Sequence, residues 1–519
     1  MQFQSIDFFI FLAITAILYY RSSAHIQIPV ALLAVFLPLL LHQVQGHALL
    51  LSCVVTITLV AISYVRKHNK ETQARKALLC VANLIFYAYY PRGAILLGIA
   101  LIVSLCTFLS ARAINNIDKP MPRRICLAVS VVVVLIPLLY FKYSAFFIEN
   151  IRSIFSFPVT PSNPRYLRFF LPAGISFYSF KAVSYLVDVY RQQITARTSL
   201  VDVVAYVTFF PAILAGPIDR SKAFFSQLYS RSGVDAIQIK TSILLIIAGM
   251  LKKLIVADAL KPIVDQTFKN PEAYSGVSLL LAAYTYSFQL YCDFAGYTDI
   301  AIGCALLLGF QIPPNFMRPY FAPNIAEFWR RWHMSLSYWL RDYVYIPLGG
   351  SRATLSRTCC NLLITMLIAG LWHGAGWNFI VWGALHGGML VMHRLFRQLT
   401  KTQNAKTGKI LSRYSVSVLA NFSFVTGAWI FFRAETWQHA ITIITRILQG
   451  AEGLTAPYVM PLVLIPLFIV TEIIQSKMSL IQHLIKYPLA SRMAIYCGIL
   501  LIIMLISSTR PYSFVYFRF

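Results

Sequence analysis

The sequence predicts an all-α, polytopic integral membrane protein, and three observations carry that prediction. Of its 519 residues 58% are hydrophobic and only 12% are charged, where a soluble domain carries roughly a quarter charged. Its mean hydropathy is +0.67. Apolar runs recur along the whole chain, about sixteen in all, including 6–20, 28–42, 48–65, 93–111, 125–141, 169–188, 241–257, 377–396, 414–432 and 457–475. A crossing helix needs about 20 apolar residues, and several runs are shorter. Roughly 11 to 15 transmembrane helices are therefore expected, with the other runs re-entrant or interfacial.

The first run ends in Tyr19-Tyr20-Arg21 without a small-residue cleavage site, so it is expected to stay as a span. Runs 28–42 and 48–65 form an apolar hairpin within 21–74. Basic residues gather between runs, at 66–76, 112–124 and 397–413, and positive-inside logic puts these loops in the cytoplasm. Counting back through the first spans places the N-terminus outside. The net charge of +27 is thus a topology signal, and no nucleic-acid partner is expected. No linker, repeat or charge block divides the chain, so residues 1–519 are expected to form a single membrane domain. The nine cysteines lack Cys-x-x-Cys spacing and are expected to be small core residues, with neither a disulfide framework nor a metal site.

Polar residues inside apolar runs are costly and therefore informative. Lys181 and Asp188 lie in one such segment, and Gln289, Asp293 and Asp299 in another; Gln289 and Asp293 share a helix face. The expected role is a hydrogen-bonded packing network, with a substrate or transport pathway as the alternative.

Two later segments carry candidate chemistry. In NIAEFWRRWHMSLSYWLRDYVYIPLGG (324–350), Asn324 and Glu327 form a capping box, predicting a helix from about Ile325. That helix would line up Phe328, Trp332, Ser335 and Trp339 on one side and Arg330, His333, Ser337 and Arg341 on another. Such a helix belongs at an interface or along a wet cavity. In NLLITMLIAGLWHGAGWNFIVWGALHGGMLVMH (361–393), the apolar run 361–372 is too short to cross and ends at His373, where Gly374 and Gly376 interrupt the pattern. A broken helix at membrane depth is tolerated only where protein or a cavity surrounds it. A neutral imidazole there can take a proton from an alcohol near pH 7. His373 is accordingly the candidate general base, with Trp372 and Asn378 shaping its surroundings and His386, on the following helix, a candidate to line the same cavity. No Gly-x-Ser-x-Gly elbow, Walker loop, dinucleotide fingerprint or His-Glu-x-x-His is present. Histidine-assisted acyl transfer to a hydroxyl, needing no stored nucleophile, is what this constellation leaves.

Six stretches resemble the membrane-bound O-acyltransferase (MBOAT) family, in its bacterial alginate O-acetylase-like branch. They are LPAGISFYSFKAVSYLVDVYR (171–191), FFPAILAGPIDR (209–220), YSFQLYCDFAGYTDIAIG (286–303), EFWRRWHMSLSYWLRDYVYIPLGG (327–350), LWHGAGWNFIVWGALHG (371–387) and WIFFRAET (429–436). The resemblance implies a ring of helices around a thinned centre with funnels from both faces, and a motif-bearing core over 171–436. It matches the reactive histidine to His373 and the second family histidine to His333; beside them, the reading of the residues offers Trp372, Asn378, Arg330, Ser337, Arg341 and His386 as substrate contacts. It implies no bound cofactor or metal and a cytoplasmic acyl thioester donor, acetyl-CoA. The acceptor would be a surface polysaccharide, reached directly or through an extracytoplasmic SGNH-type acetyltransferase partner, from the bacterial inner membrane. The hairpin in 21–74 is an addition relative to the branch. D-alanyl transfer to teichoic acid from a carrier-protein thioester, and a non-enzymatic channel, are the alternatives.

Overall fold

The computed structural model describes residues 71–89, 93–155, 171–230, 234–399 and 410–477, with isolated positions at 8–16 and 487–498. The run 28–42, the hairpin within 21–74 up to residue 70, and the chain's aromatic end lie outside the described residues. What is described is helical, the one β-bridge being an isolated Tyr274–Leu454 pair. Six helices among the described residues are long and apolar enough to cross a membrane: Ile95–Asn115, Pro120–Phe155, Gly276–Leu307, Leu355–His373, Trp377–Leu399 and Tyr414–Arg433. The all-α, multi-spanning prediction is met.

Residues cluster into two compact units, 1–246 with 300–313, and 247–299 with 314–519. In the first, α1 (Glu71–Ala88), α2 (Gly93–Asn115), α3 (Pro120–Leu138) and α4 (Ser144–Phe155) precede α5 (Ile175–Tyr190), α6 (Leu200–Val207) and α7 (Ser221–Tyr229). Two interior charged groups of α5 have close partners. Lys181 on α5 meets Asp219 at 2.8 Å, and Ser221 donates to Asp188 at 3.0 Å. Both observations favour the packing-network expectation over a transport path. Lys76, expected in a solvated cytoplasmic loop, is instead buried within α1 and meets Asp202 at 3.1 Å.

The second unit opens within α8 (Ala236–Met250), which runs through a π-helical segment, Leu251–Ala257, into α9 (Asp258–Lys269). The 32-residue α10 (Gly276–Leu307) follows and passes on into the first unit at residue 300. Two short helices, α11 (Ile325–Arg331) and α12 (Met334–Leu340), lead to a hairpin of α13 (Leu355–His373) and α14 (Trp377–Leu399). The chain then forms α15 (Ile410–Arg433), α16 (Trp437–Leu448) and α17 (Val459–Lys477). Small residues set the hairpin's closeness: a Cβ at Gly383 would stand 2.4 Å from the Met366 carbonyl oxygen.

Two sequence expectations need correction here. The run 361–372 belongs to a 19-residue helix that starts at Leu355, because Leu355 to Cys360 adds the missing turns. His373 therefore ends a span-length helix; it does not interrupt a short one. Among the described cysteines, Cys80, Cys292 and Cys304 are buried as expected, but Cys360 is exposed.

Candidate active site

Two local breaks deliver the histidines. Asn324 accepts the Glu327 N–H at 2.9 Å and starts α11 at Ile325, as the capping box predicts. The helix then lasts only to Arg331. Trp332 turns extended, and His333 takes a left-handed backbone of φ 42°, ψ 54° before α12 begins. The single helix expected to carry Arg330, His333, Ser337 and Arg341 on one face does not form.

Asn315 supports this break. Its carbonyl accepts the Met334 N–H at 2.9 Å, and its side-chain oxygen accepts the Ser335 N–H at 3.2 Å. Those are orphan donors of the first turn of α12, satisfied from outside the helix. Asn315 is wholly buried and was missed in the sequence; the legible signal is an amide directly after Pro313-Pro314, where a turn-stabilising side chain is favoured.

Once the chain has turned at His333, the imidazole is fully buried, edge-on to Phe294 at 4.7 Å and to Trp372 at 5.8 Å between ring centroids. His373, at the end of α13, is 2% exposed. Its ring sits 4.8 Å from Trp372, 5.1 Å from Trp382 and 5.1 Å from Phe432. His386, one helix over, is fully buried at 4.7 Å from Trp382 and 5.2 Å from Trp329. The structure thus brings all three candidate histidines into one row in which tryptophans alternate: His333, Trp372, His373, Trp382, His386. Trp382, absent from the expected site, is legible only as one more aromatic in an aromatic-rich helix.

The break after His373 has a steric reason. A Cβ at Gly374 would fall 2.1 Å from the ring of Phe379, which packs on Phe432 at 5.3 Å. Only a glycine lets that ring in, and the ring keeps Phe432 against His373.

Electrostatics favours a neutral imidazole at His333. His333 lies outside the span-length helices, and burial pushes its pKa down to about 3. A neutral imidazole offers one donor and one acceptor, the pair required to take and return a proton.

The remaining expected contacts divide. Trp372 lies between the two leading histidines. Asn378 spends its amide on the Phe431 carbonyl at 3.3 Å and the Ala434 carbonyl at 3.0 Å, clamping the end of α15. Ser337 donates to the Trp332 carbonyl at 3.2 Å. Arg341 is exposed, ion-paired with Asp342 at 2.7 Å and set over the Tyr338 ring. Arg330 is also exposed, paired with Glu327, and faces a cleft of about 510 Å³ shared with Arg318, Arg331, Tyr414 and Glu472. None of the three histidines lines that cleft.

Comparison with known proteins identifies the family. The model of the membrane-bound O-acyltransferase family matches residues 35–434. The chain is 39% identical over 363 residues to the "Probable alginate O-acetylase AlgI" of Azotobacter vinelandii, covering 70% of each chain. It is 33% identical over 405 residues to the "Peptidoglycan O-acetyltransferase" of Helicobacter pylori, covering 73% of this chain and 74% of that one. With the "Teichoic acid D-alanyltransferase" of Streptococcus thermophilus it shares 32% over 245 residues, covering 44% of this chain and 59% of the other. A family match spanning both histidine segments, on a chain of span-length helices that buries those histidines together, has one meaning: this chain belongs to the membrane-bound O-acyltransferase family and is a multi-pass membrane O-acyltransferase.

Proposed function

We propose that this enzyme transfers an acetyl group from a cytoplasmic thioester, acetyl-CoA, to hydroxyls of a surface polysaccharide, with His373 as general base. The observation that carries this reading is the buried row of three histidines and two tryptophans. Such a site excludes water, which would otherwise compete for the acyl group, and leaves neutral imidazole as the proton acceptor. A substrate hydroxyl attacks the thioester carbonyl, a C–O bond forms and the C–S bond breaks. His373 takes the hydroxyl proton and returns it to the departing thiolate. His333 positions the donor carbonyl or shares the proton, and His386 and Trp372 wall the same space. Asn378 and Ser337 hold that space through backbone carbonyls. Exposed Arg330 and Arg341 suit the anionic part of a donor such as CoA.

The relatives named for alginate and peptidoglycan O-acetylation support acetyl as the group and a surface polymer as its destination. An extracytoplasmic SGNH-type acetyltransferase would carry the group onward if transfer is indirect. The bacterial cytoplasmic membrane is the proposed location, the whole chain acting as one membrane domain with 171–436 as its core. D-alanyl transfer is a second reading, favoured by the similarity to teichoic acid D-alanyltransferases but over a smaller share of the chain. Membership in an enzyme family replaces the channel alternative.

The test is replacement of His373 by Ala, with acetate released by mild alkali from surface polymers measured per molecule of protein in cells. Loss of polymer acetate with the protein present at normal level is expected. Wild-type acetate would end the assignment of His373, and released D-alanine in place of acetate would transfer the assignment to the second reading.

A further inference from the structure

The two leading histidines rest against two phenylalanines, and each phenylalanine is next in sequence to a charged residue. Phe294, on His333, follows Asp293; Phe432, on His373, precedes Arg433. Those two charges are the ends of one series of alternating sign.

Asp293 on α10 meets Lys253 at 2.7 Å, and Lys253 meets Asp258 at 2.7 Å. Lys261 stands one turn further along α9, where it acts electrostatically on Asp258 and forms an ion pair with Asp265. Asp265 in turn meets the Arg433 guanidinium at 2.6 Å. Three carboxylates and three cations therefore alternate from α10 to the end of α15. At the Asp293 end the ladder is nearly closed to solvent, the side chains of Lys253 and Asp293 being 1% and 2% exposed.

The local backbone explains how the ladder is assembled. Lys253 and Asp258 are five residues apart, a spacing that points away from contact on an α-helix. The π-helical segment Leu251–Ala257 widens the turn and brings position i+5 round to the same side. At the other end Arg433 also lies over the Phe268 ring, while Asn378 grips the carbonyls on either side of Phe432 and Arg433. The turn that aims Phe432 at His373 is therefore held from both α14 and α9.

We infer that this ladder is a positioning device for the two histidines, with Asp265 and Arg433 setting the Phe432 wall of His373 and Lys253 and Asp293 setting the Phe294 wall of His333. The inference rests on the reading of His373 as the base. None of the six charged groups needs to touch substrate. Their effect is mechanical: an ion pair fixes the backbone turn, the turn fixes the ring, and the ring fixes the imidazole. Displacement of a reacting group by a fraction of an ångström to an ångström is costly in rate.

The experiment compares Asp265→Asn, Arg433→Gln, the charge-swapped double variant Asp265→Arg with Arg433→Asp, and His373→Ala, in the full-length protein in cells. Asp202→Asn, which breaks the buried pair with Lys76 in the first unit, is the control for loss of an ion pair alone. Readouts are alkali-released polymer acetate per molecule of protein and the melting temperature of the detergent-solubilised enzyme. The ladder predicts that each single variant at 265 or 433 loses about tenfold or more in acetate per molecule. The swap should regain a measurable part of that loss, and the control should lower only the melting temperature. Wild-type acetate per molecule in both single variants, or a loss that the swap leaves unchanged, overturns the inference. Should His373→Ala retain acetate, the base assignment itself fails, whatever the ladder variants do.

Discussion

At the scale of the residue, burial decides what the histidines can do. His333 is fully enclosed, and with its pKa pushed down to about 3 it stays neutral through the physiological range. The sign of the linkage follows. A histidine whose folded pKa is depressed binds fewer protons when folded, so its contribution to stability is whole above about 6.5 and is lost as pH falls toward about 3. Replacement by glutamine should flatten the pH dependence of the melting temperature across that window, while wild type should fall steadily; equal slopes for the two proteins would remove His333 as the buried titrating group. The sequence showed His333 and His373 by residue type and context. It did not show Asn315, because an amide in a Pro-rich loop announces a turn without announcing which helix start it will cap.

At the scale of the element, the start of α11 was legible and its end was not. The capping box is a local signal between Asn324 and Glu327, three residues apart, and local signals survive in a sequence. The break at Trp332 and His333 depends on Asn315 and on the aromatic wall of Phe294 and Trp372, partners distant in the chain. Periodicity alone therefore continued the helix through it. The hairpin of α13 and α14 gives a sharp test at this scale. At Gly383 the helices approach so closely that any side chain meets the Met366 carbonyl. Gly383→Leu should force the pair apart and destabilise the enzyme by about 1–3 kcal/mol or more. Its melting temperature in detergent and its polymer acetylation should fall together; an unchanged melting temperature would show that the hairpin tolerates a wider spacing.

At the scale of the whole molecule, composition announced the membrane, and the described helices and the family match agree with it. The pairing of interior charges was much less legible. Lys252 and Lys253 sit inside the apolar run 241–257 and pair with Asp299 and Asp293 at 2.8 Å and 2.7 Å. Distance along the chain hid these two pairings, whose partners lie some forty residues away, and the π-helical turn hid the shorter one between Lys253 and Asp258. In the first unit Lys181 and Asp219 make the same kind of pair with side chains 2% and 4% exposed. Breaking one partner of a buried pair strands a charge and costs about 3–5 kcal/mol, whereas removing both costs much less. Lys181→Met should therefore lower the amount of folded protein sharply, and adding Asp219→Asn should recover part of it. A double variant as scarce as the single one would mean that this pair does more than neutralise itself.

The left-handed backbone at His333 has a consequence for how such an enzyme can vary. Histidine tolerates that conformation better than most residues but still carries a cost of about 1–3 kcal/mol, which glycine would not. On the proposed mechanism, the best residue for the turn and the best residue for proton handling differ at this one position. On the proposed assignment, His333→Gly should therefore keep the bend and the fold while losing polymer acetate, and retained acetate would remove His333 from the chemistry.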